Sequence, residues 1–323
     1  MRVILFEQGK IREAEVPMPV PGRGEALLAV RLAGICNTDL ELLSGYYGFS
    51  GIAGHECVAD VAGCESRPDL VGKRVVVAIN NGCDDPACEA CAGGDARHCP
   101  SRTVLGIQRW DGAFAEFITA PVKNLVPVPE SVDDRTAVFA EPLAAALRIL
   151  DQVEVSGKKA AVLGDGKLGV LCALALSPYA KSLVLVGKHP HRVTLARSLG
   201  FSARQGDSPG QGGRYDVVVE ATGSPEGLDA ALSLVWPRGV VVLKTTCRDK
   251  TTADLSRLVV DEVTLVGSRC GDMGKAMRFL AEKGLDAEAL IEATYPFTRH
   301  REAFGKAMAP GAGKVLMEMR KGR

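Results

Sequence analysis

Four cysteines in one short stretch have the most specific chemistry in this sequence. Cys83, Cys88, Cys91 and Cys99 lie within 17 residues, with spacers of four, two and seven residues. Four thiolates in a short loop suit a tetrahedral Zn²⁺ ion with no open coordination position, so the pattern predicts a structural zinc site. Two disulfides or four unused thiols are the alternatives, and His98 could replace Cys99 as a ligand. Ten Cys in 323 residues is well below the density of a disulfide-stabilised scaffold, which favours zinc.

A second set of metal-ligand types is spread along the chain. Cys36 lies in the segment Gly34–Asp39, His55 is followed by Glu56, and Glu141 precedes a proline. Cysteine, histidine and carboxylate are ligands of zinc ions that keep one position open for chemistry. The spacing alone does not bring these residues together, and a His beside a Glu is also common as an ordinary buried or surface pair.

A glycine pattern predicts a dinucleotide site. The apolar run Lys159–Leu163 leads into Gly164, Gly166 and Gly169, and a helical segment, Lys167–Leu176, follows. In G-x-G-x-x-G between a strand and a helix, the first glycine makes the tight turn and the second lets the backbone approach a pyrophosphate. The third glycine lets the helix pack on the strand, and the pyrophosphate binds at the helix N-terminus.

The end of the next predicted strand bears on the choice of cofactor. An NAD site usually has an acid there, but Leu183–Val186 is followed by Gly187, Lys188 and His189. A carboxylate would repel a 2′-phosphate, whereas Lys188 and His189 could bind one. The sequence therefore favours NADP over NAD, with two solvated turn residues as the alternative.

The surrounding elements fall into two kinds. In the first ~140 residues, short β-type runs such as Ala26–Arg31, Val58–Ala62 and Arg74–Ile79 alternate with Pro and Gly, which predicts a β-rich or barrel-like module. From about Ala137 a helical segment opens an alternation of apolar runs and helices that predicts a doubly wound parallel α/β domain. The last helix of this alternation is expected over Thr252–Val260, and a weaker strand is expected near Ser202–Gln205. The last part contains a helix, Met273–Lys283, and a final short strand.

The overall composition limits the partners. Lys plus Arg and Asp plus Glu both number 39, so the formal net charge is zero, and no charge field attracts nucleic acid or an anionic membrane. Hydrophobic residues make up 46% of the chain, which is typical of globular proteins. No stretch has the pattern of a signal peptide or a membrane span, so we expect a cytoplasmic protein.

These motifs together resemble the zinc-dependent medium-chain dehydrogenase/reductase superfamily, which includes alcohol, polyol and threonine dehydrogenases. The resemblance covers essentially the whole chain in the right order. The segments that carry it are Gly34–Asp39, Gly54–Glu56, the four-cysteine stretch, Asp111–Phe117, Glu141–Leu143, Gly164–Gly169, Glu220–Gly223 and Gly313–Leu316.

The resemblance implies an α/β protein with two domains. Residues 1–143 and 268–323 would form a GroES-like, β-rich catalytic domain that binds zinc, and residues 144–267 a Rossmann domain with a doubly wound parallel sheet. It also implies one catalytic and one structural Zn²⁺, NAD(P) as the cofactor, and reversible hydride transfer between this cofactor and a small secondary or polyol-like alcohol. Relatives are commonly homodimers or homotetramers.

The resemblance also implies roles for single residues. Cys36 and His55 would hold the catalytic zinc, with either Glu56 or Glu141 as third ligand, and Thr38 would accept the alcohol proton. Glu41 stands where many members have a proton-relay histidine. The expected cofactor-binding residues are Gly164, Gly166, Leu168, Gly169, Gly187, Lys188, His189, Arg192 and Thr222.

A non-enzyme remains the alternative, namely a zinc-stabilised nucleotide-binding protein that acts as a redox sensor or partner module. Such a protein would keep the glycine turn and the cysteine stretch. It would have no need of Cys36, Thr38, His55 and Glu56 together, so their joint presence favours an enzyme.

Overall fold

The computed structural model describes residues 1–45, 48–206, 214–246, 251 and 253–320. The chain divides into two compact units, residues 1–141 with 273–323 (unit 1) and residues 142–272 (unit 2). From the sequence we expect domain boundaries at 143/144 and 267/268, and these boundaries stay a prediction.

Unit 1 contains most of the antiparallel strands. Its strands are β1 (Arg2–Glu7), β2 (Lys10–Glu15), β3 (Glu25–Ile35), β4 (Gly51–Ile52), β5 (Glu56–Gly63), β6 (Arg74–Val77), β7 (Asn80–Asn81), β8 (Thr103–Val104), β9 (Phe117–Pro121), β10 (Leu125–Pro127), β17 (Ile291–Pro296) and β18 (Lys314–Glu318). Its helices are α1 (Asn37–Leu43), α2 (Glu89–Ala92), α3 (Asp134–Ala137), α9 (Met273–Lys283), α10 (Ala287–Leu290) and α11 (His300–Ala307).

The long strand β3 organises this unit. The main sheet has the order β10-β6-β5-β3-β18-β17, and β9 also pairs with β3. Near the C-terminal end of β3, Gly34 lies opposite Glu56 of β5 on one side and opposite Leu316 of β18 on the other. This register brings together the segment after β3, the start of β5 and the start of β18.

Unit 2 is a parallel α/β layer structure. Its strands are β11 (Lys159–Leu163), β12 (Ser182–Gly187), β13 (Ser202–Gln205), β14 (Tyr215–Glu220), β15 (Val235–Leu243) and β16 (Thr264–Gly267). Its helices are α4 (Ala140–Gln152, which begins at the end of unit 1), α5 (Lys167–Leu176), α6 (Pro190–Ser198), α7 (Gly227–Leu234) and α8 (Ser256–Val260). The strand order β13-β12-β11-β14-β15-β16 confirms the predicted doubly wound sheet.

Two predicted helices differ from the structure in where they begin. The helix expected from Ala137 is divided, and α4 starts at Ala140, which places Pro142 in the first turn, where its missing N–H costs nothing. The helix expected over Thr252–Val260 starts at Ser256, because the Asp254 side chain accepts the Ser256 backbone N–H. Thr252 lies outside the described residues.

Among the helices in the described part of the chain, none combines the length and apolar character needed to cross a bilayer.

Candidate active site

Three predicted zinc ligands meet at the end of β3. One candidate ligand atom each from Cys36, His55 and Glu56 lies within 4.8 Å of the other two. Cys36 follows β3 and precedes α1, whereas His55 and Glu56 lie where β5 begins. Residues far apart in the sequence are therefore brought together by the pairing of β3 with β5.

A buried carboxylate positions two of these residues. Asp39, in the first turn of α1, accepts the Cys36 N–H at 2.8 Å and the Gly54 N–H at 3.2 Å. Its Oδ1 lies 3.2 Å from His55 Nδ1, which leaves the other ring nitrogen for a metal. Burial lowers the pKa of His55, but the charge and hydrogen bonding of Asp39, together with those of Cys36, outweigh burial and raise this pKa well above its usual range. A divalent metal would compete with that proton.

Glu56 has one engaged and one unengaged carboxylate oxygen. Its Oε2 forms an ion pair with Lys314 of β18, and both side chains are almost completely buried. A Cβ at Gly34 would lie 2.5 Å from this oxygen, so only glycine fits opposite Glu56. Burial lowers the pKa of Lys314, but the charges of Glu56, Cys36 and Asp39 and the hydrogen bond to Glu56 together outweigh burial and raise this pKa.

The donor set fits a zinc ion. Glu56 Oε1 is buried without a hydrogen-bond partner among the described residues, a costly state that a metal would relieve. The neighbouring Cys57 contributes no ligand to this cluster, and burial raises the pKa of its thiol to about 12. Sulfur, imidazole and carboxylate together match a catalytic zinc site with one open position.

Thr38 and Glu141, the other two residues predicted for the catalytic zinc site, also lie in unit 1. Thr38 is half-buried, and its Oγ1 lies 3.7 Å from Cys36 Sγ. Glu141 lies in the first turn of α4 and is not part of the three-residue cluster. The structure thus brings Glu56, and not Glu141, to Cys36 and His55, and the identity of the third zinc ligand stays a prediction.

The four cysteines also form a cluster in the structure. Cys83 and Cys91 sulfurs are 3.8 Å apart, and those of Cys88 and Cys99 are 3.9 Å apart. Two sulfurs bound to one zinc at tetrahedral angles stand about 3.8 Å apart. All four are free cysteines, and His98 is exposed and outside the cluster.

The charge state of this cluster suits a metal. Burial opposes ionisation of Cys99, but backbone N–H groups and neighbouring thiols lower its pKa to about 7. Backbone N–H contact favours the thiolate of Cys83, yet the other three thiols raise its pKa to about 12. Cys99 therefore ionises easily, whereas ionisation of Cys83 would be favoured by a nearby cation.

The glycine turn of unit 2 has the shape that a pyrophosphate requires. A Cβ at Gly164 would lie 2.3 Å from the Ala221 carbonyl oxygen, and one at Gly169 would lie 1.9 Å from the Gly164 oxygen. Gly166, directly before α5, has no atom within 4 Å of its Cβ position. Gly164 and Gly169 are thus required by packing, whereas Gly166 leaves open space at the N-terminus of α5.

The remaining predicted cofactor residues lie around this turn. Gly187 ends β12, Lys188 is exposed and His189 is partly exposed. Arg192 is buried and its Nε donates to the Asp165 carbonyl oxygen at 3.1 Å, so it supports the turn. Leu168 is partly buried in α5, and the Thr222 hydroxyl donates to Glu220. Contacts of these residues with a cofactor stay predictions.

Sequence reasoning missed two site residues, Asp39 and Lys314. Asp39 stands three residues after Cys36, the spacing at which an acidic residue caps a helix start, and this signal could have identified it. Lys314 is the first residue of β18, far from the other site residues in the sequence, and no local pattern marks its partner.

Comparisons with known proteins agree with this geometry. Residues 22–130 match the alcohol dehydrogenase GroES-like domain family. The chain is 26% identical over 324 residues to L-galactonate-5-dehydrogenase of Escherichia coli (strain K12), covering 94% of each chain. An alcohol dehydrogenase from Escherichia coli CFT073, solved with NADH, superposes with a TM-score of 0.90 at 25% identity and covers 98% of this chain and 99% of its own.

A zinc-binding dehydrogenase from Sinorhizobium meliloti 1021, solved with NADP, has a TM-score of 0.88 at 26% identity and 98% coverage of both chains. Over residues 22–130 the chain matches the alcohol dehydrogenase GroES-like domain, and over nearly its whole length it is similar to zinc-binding dehydrogenases. These likenesses support oxidoreductase activity of the alcohol dehydrogenase type.

Proposed function

We propose that the protein is a zinc-dependent dehydrogenase that oxidises a secondary alcohol group of a polyol-like small molecule and prefers NADP to NAD. The observation that carries this proposal is the cluster of Cys36, His55 and Glu56, with Glu56 Oε1 buried and unpartnered. A sensor or partner module would have no use for such an open ligand set beside a threonine hydroxyl.

The residues divide the work of the reaction. Cys36, His55 and Glu56 would hold the catalytic zinc, and the four-cysteine cluster a second, structural zinc. Bound zinc supplies a Lewis acid for the substrate oxygen, and the nicotinamide supplies the hydride acceptor. Asp39 orients His55, while Lys314 holds one oxygen of Glu56 and balances its charge.

Thr38 Oγ1 would accept the alcohol proton while its own hydroxyl proton passes on towards solvent. A general acid–base contribution is typically worth a hundredfold or more, so Thr38→Val should lower the alcohol oxidation rate about a hundredfold. Dissociation constants for NADP⁺ and the zinc content should stay at the wild-type values, because the methyl groups keep the packing. Thr38→Ser, which retains the hydroxyl, should recover most of the rate. Parallel losses of rate and cofactor binding in Thr38→Val would contradict the proton role.

A substrate screen tests the proposal. The purified protein is incubated with hexitols, aldonic acids, vicinal diols, threonine and simple secondary alcohols, each with NADP⁺ and with NAD⁺, and formation of the reduced cofactor is followed by absorbance. We expect turnover of a polyhydroxylated substrate, with higher kcat/KM for NADP⁺. A protein that binds the cofactor and two zinc ions but oxidises none of these alcohols would support the sensor or module instead.

The proposal includes assembly and location. We expect a homodimer or homotetramer in the cytoplasm, with a small-molecule alcohol or carbonyl compound as substrate and neither nucleic acid nor membrane as a partner. Light scattering of the purified protein measures the oligomeric state directly.

A further inference from the structure

Gly187, at the end of β12, has no side chain, and the side chain of Asp165 fills the space beside it. A Cβ placed on Gly187 would lie 2.3 Å from Asp165 Cβ and 2.4 Å from Asp165 Oδ2. Asp165 is the residue between the first two glycines of the turn after β11. Its carboxylate therefore occupies the space into which a side chain at position 187 would project, and Gly187 is required by this packing.

Both oxygens of this carboxylate are engaged by one residue. Asp165 Oδ2 accepts the backbone N–H of His189 at 2.7 Å, and Oδ1 lies 3.0 Å from His189 Nδ1. The Asp165 side chain is 6% exposed, whereas that of His189 is 39% exposed. The carboxylate has little surface left for a ribose hydroxyl, and the imidazole is the group it presents to solvent.

Arg192 holds the other end of Asp165. Its guanidinium donates to the Asp165 carbonyl oxygen and is itself buried. The carboxylate, the peptide carbonyl and the imidazole thus form a connected set between the glycine turn and the start of α6. In such a set the orientation of the outer ring depends on the inner acid, as in many histidine–carboxylate pairs.

We propose that Asp165 is a positioning residue that fixes His189 as a contact for the 2′-phosphate of NADP. An imidazole that donates Nδ1–H to a carboxylate can contact a phosphate through Nε2 only when it is doubly protonated. In that form the ring would donate one N–H to the Asp165 carboxylate and the other to the phosphate. This inference rests on the proposed NADP preference. It attributes that preference to Asp165, an acid that would not itself contact the cofactor.

The direction in which Asp165→Asn changes the preference for NADP⁺ distinguishes this positioning role from its alternatives. If Asp165 only repelled anions, Asp165→Asn would strengthen NADP⁺ binding. If it only packed the turn, NADP⁺ and NAD⁺ binding would change equally. If it positions His189, the preference for NADP⁺ should fall about tenfold, the value of one charge-assisted hydrogen bond, while NAD⁺ binding changes little.

The experiment uses calorimetric titration of the zinc-containing protein with NADP⁺ and with NAD⁺, without alcohol, so no turnover occurs. His189→Asn should cause the same loss of preference, and the double variant no further loss, because the two residues act through one contact. Asp229→Asn removes an exposed carboxylate from α7 of the same unit and should leave the preference unchanged. His189 is partly exposed, so its variant remains informative if Asp165→Asn fails to fold.

Each outcome has one meaning. A wild-type protein that binds NAD⁺ at least as tightly as NADP⁺ overturns the proposed cofactor preference and this inference with it. A wild type that prefers NADP⁺, with an unchanged or increased preference in Asp165→Asn, overturns the inference alone. Additive losses in the double variant would also overturn it, since they would show independent contributions.

Discussion

Cys36→Ser is expected to remove one zinc ion per chain and to lower alcohol oxidation by about a thousandfold or more while the protein stays folded. A neutral serine hydroxyl is a poor zinc ligand, and a Lewis acid contributes several kcal/mol, of which roughly 4 kcal/mol corresponds to about a thousandfold. The fold should survive because Asp39 bonds to the backbone N–H of residue 36, which the substitution keeps. Elemental analysis, steady-state rates and thermal melting measure the three effects.

Two other cysteines provide the comparison. Cys64→Ser changes a buried thiol outside both clusters and should keep zinc content and activity. Cys91→Ser should also lose one zinc ion, but its main effect should be a lower Tm, because structural zinc binding contributes to folding. Full activity in Cys36→Ser would refute its role as a ligand, and wild-type stability in Cys91→Ser would refute a structural zinc.

Lys314→Met should be among the most destabilising single substitutions in unit 1. The lysine side chain is 2% exposed and forms an ion pair with Glu56, whose side chain is fully buried. Removing one member of a buried ion pair leaves an uncompensated charge, which typically costs about 3–5 kcal/mol. The free energy of unfolding, from urea titration of the wild type and the variant, measures this cost.

Lys306→Met is the matched control for this loss. Lys306 pairs with Glu292 at 2.7 Å, but its side chain is 40% exposed. Exposed ion pairs contribute about 0–1 kcal/mol, so this control should stay close to the wild type. Similar small losses in both lysine variants would show that the Glu56–Lys314 pair contributes no more than a surface contact.

Much of unit 2 could be predicted from the sequence because its signals are local. The strands Lys159–Leu163 and Ser202–Gln205 and the helix Lys167–Leu176 have the predicted bounds. Continuous Val and Leu runs between helical segments leave few arrangements other than a buried parallel sheet. The glycine pattern then places the turn at its correct position in the strand–helix unit.

Unit 1 was harder to predict because its contacts are distant in sequence. The prediction recognised short strands there, but no local pattern indicates that β18 pairs with β3 or that Gly34 faces Glu56. The zinc-ligand types were found from their chemistry, whereas Lys314 has a partner 258 positions away. Asp165 was overlooked for another reason, since the glycine pattern leaves its position unspecified.

The pairing of Glu56 with Lys314 can form only late in translation, because the two residues are far apart in the sequence. At about 5–20 residues per second, the ribosome needs roughly 13–50 s to add the 258 residues that separate the two partners. Throughout this interval the nascent chain contains Cys36, His55 and Glu56. It lacks both Lys314 and the strand β18, which pairs with β3. All of unit 2 is made in the meantime. Pairing of the buried Glu56 carboxylate with Lys314 is therefore a late event in the life of a newly translated chain.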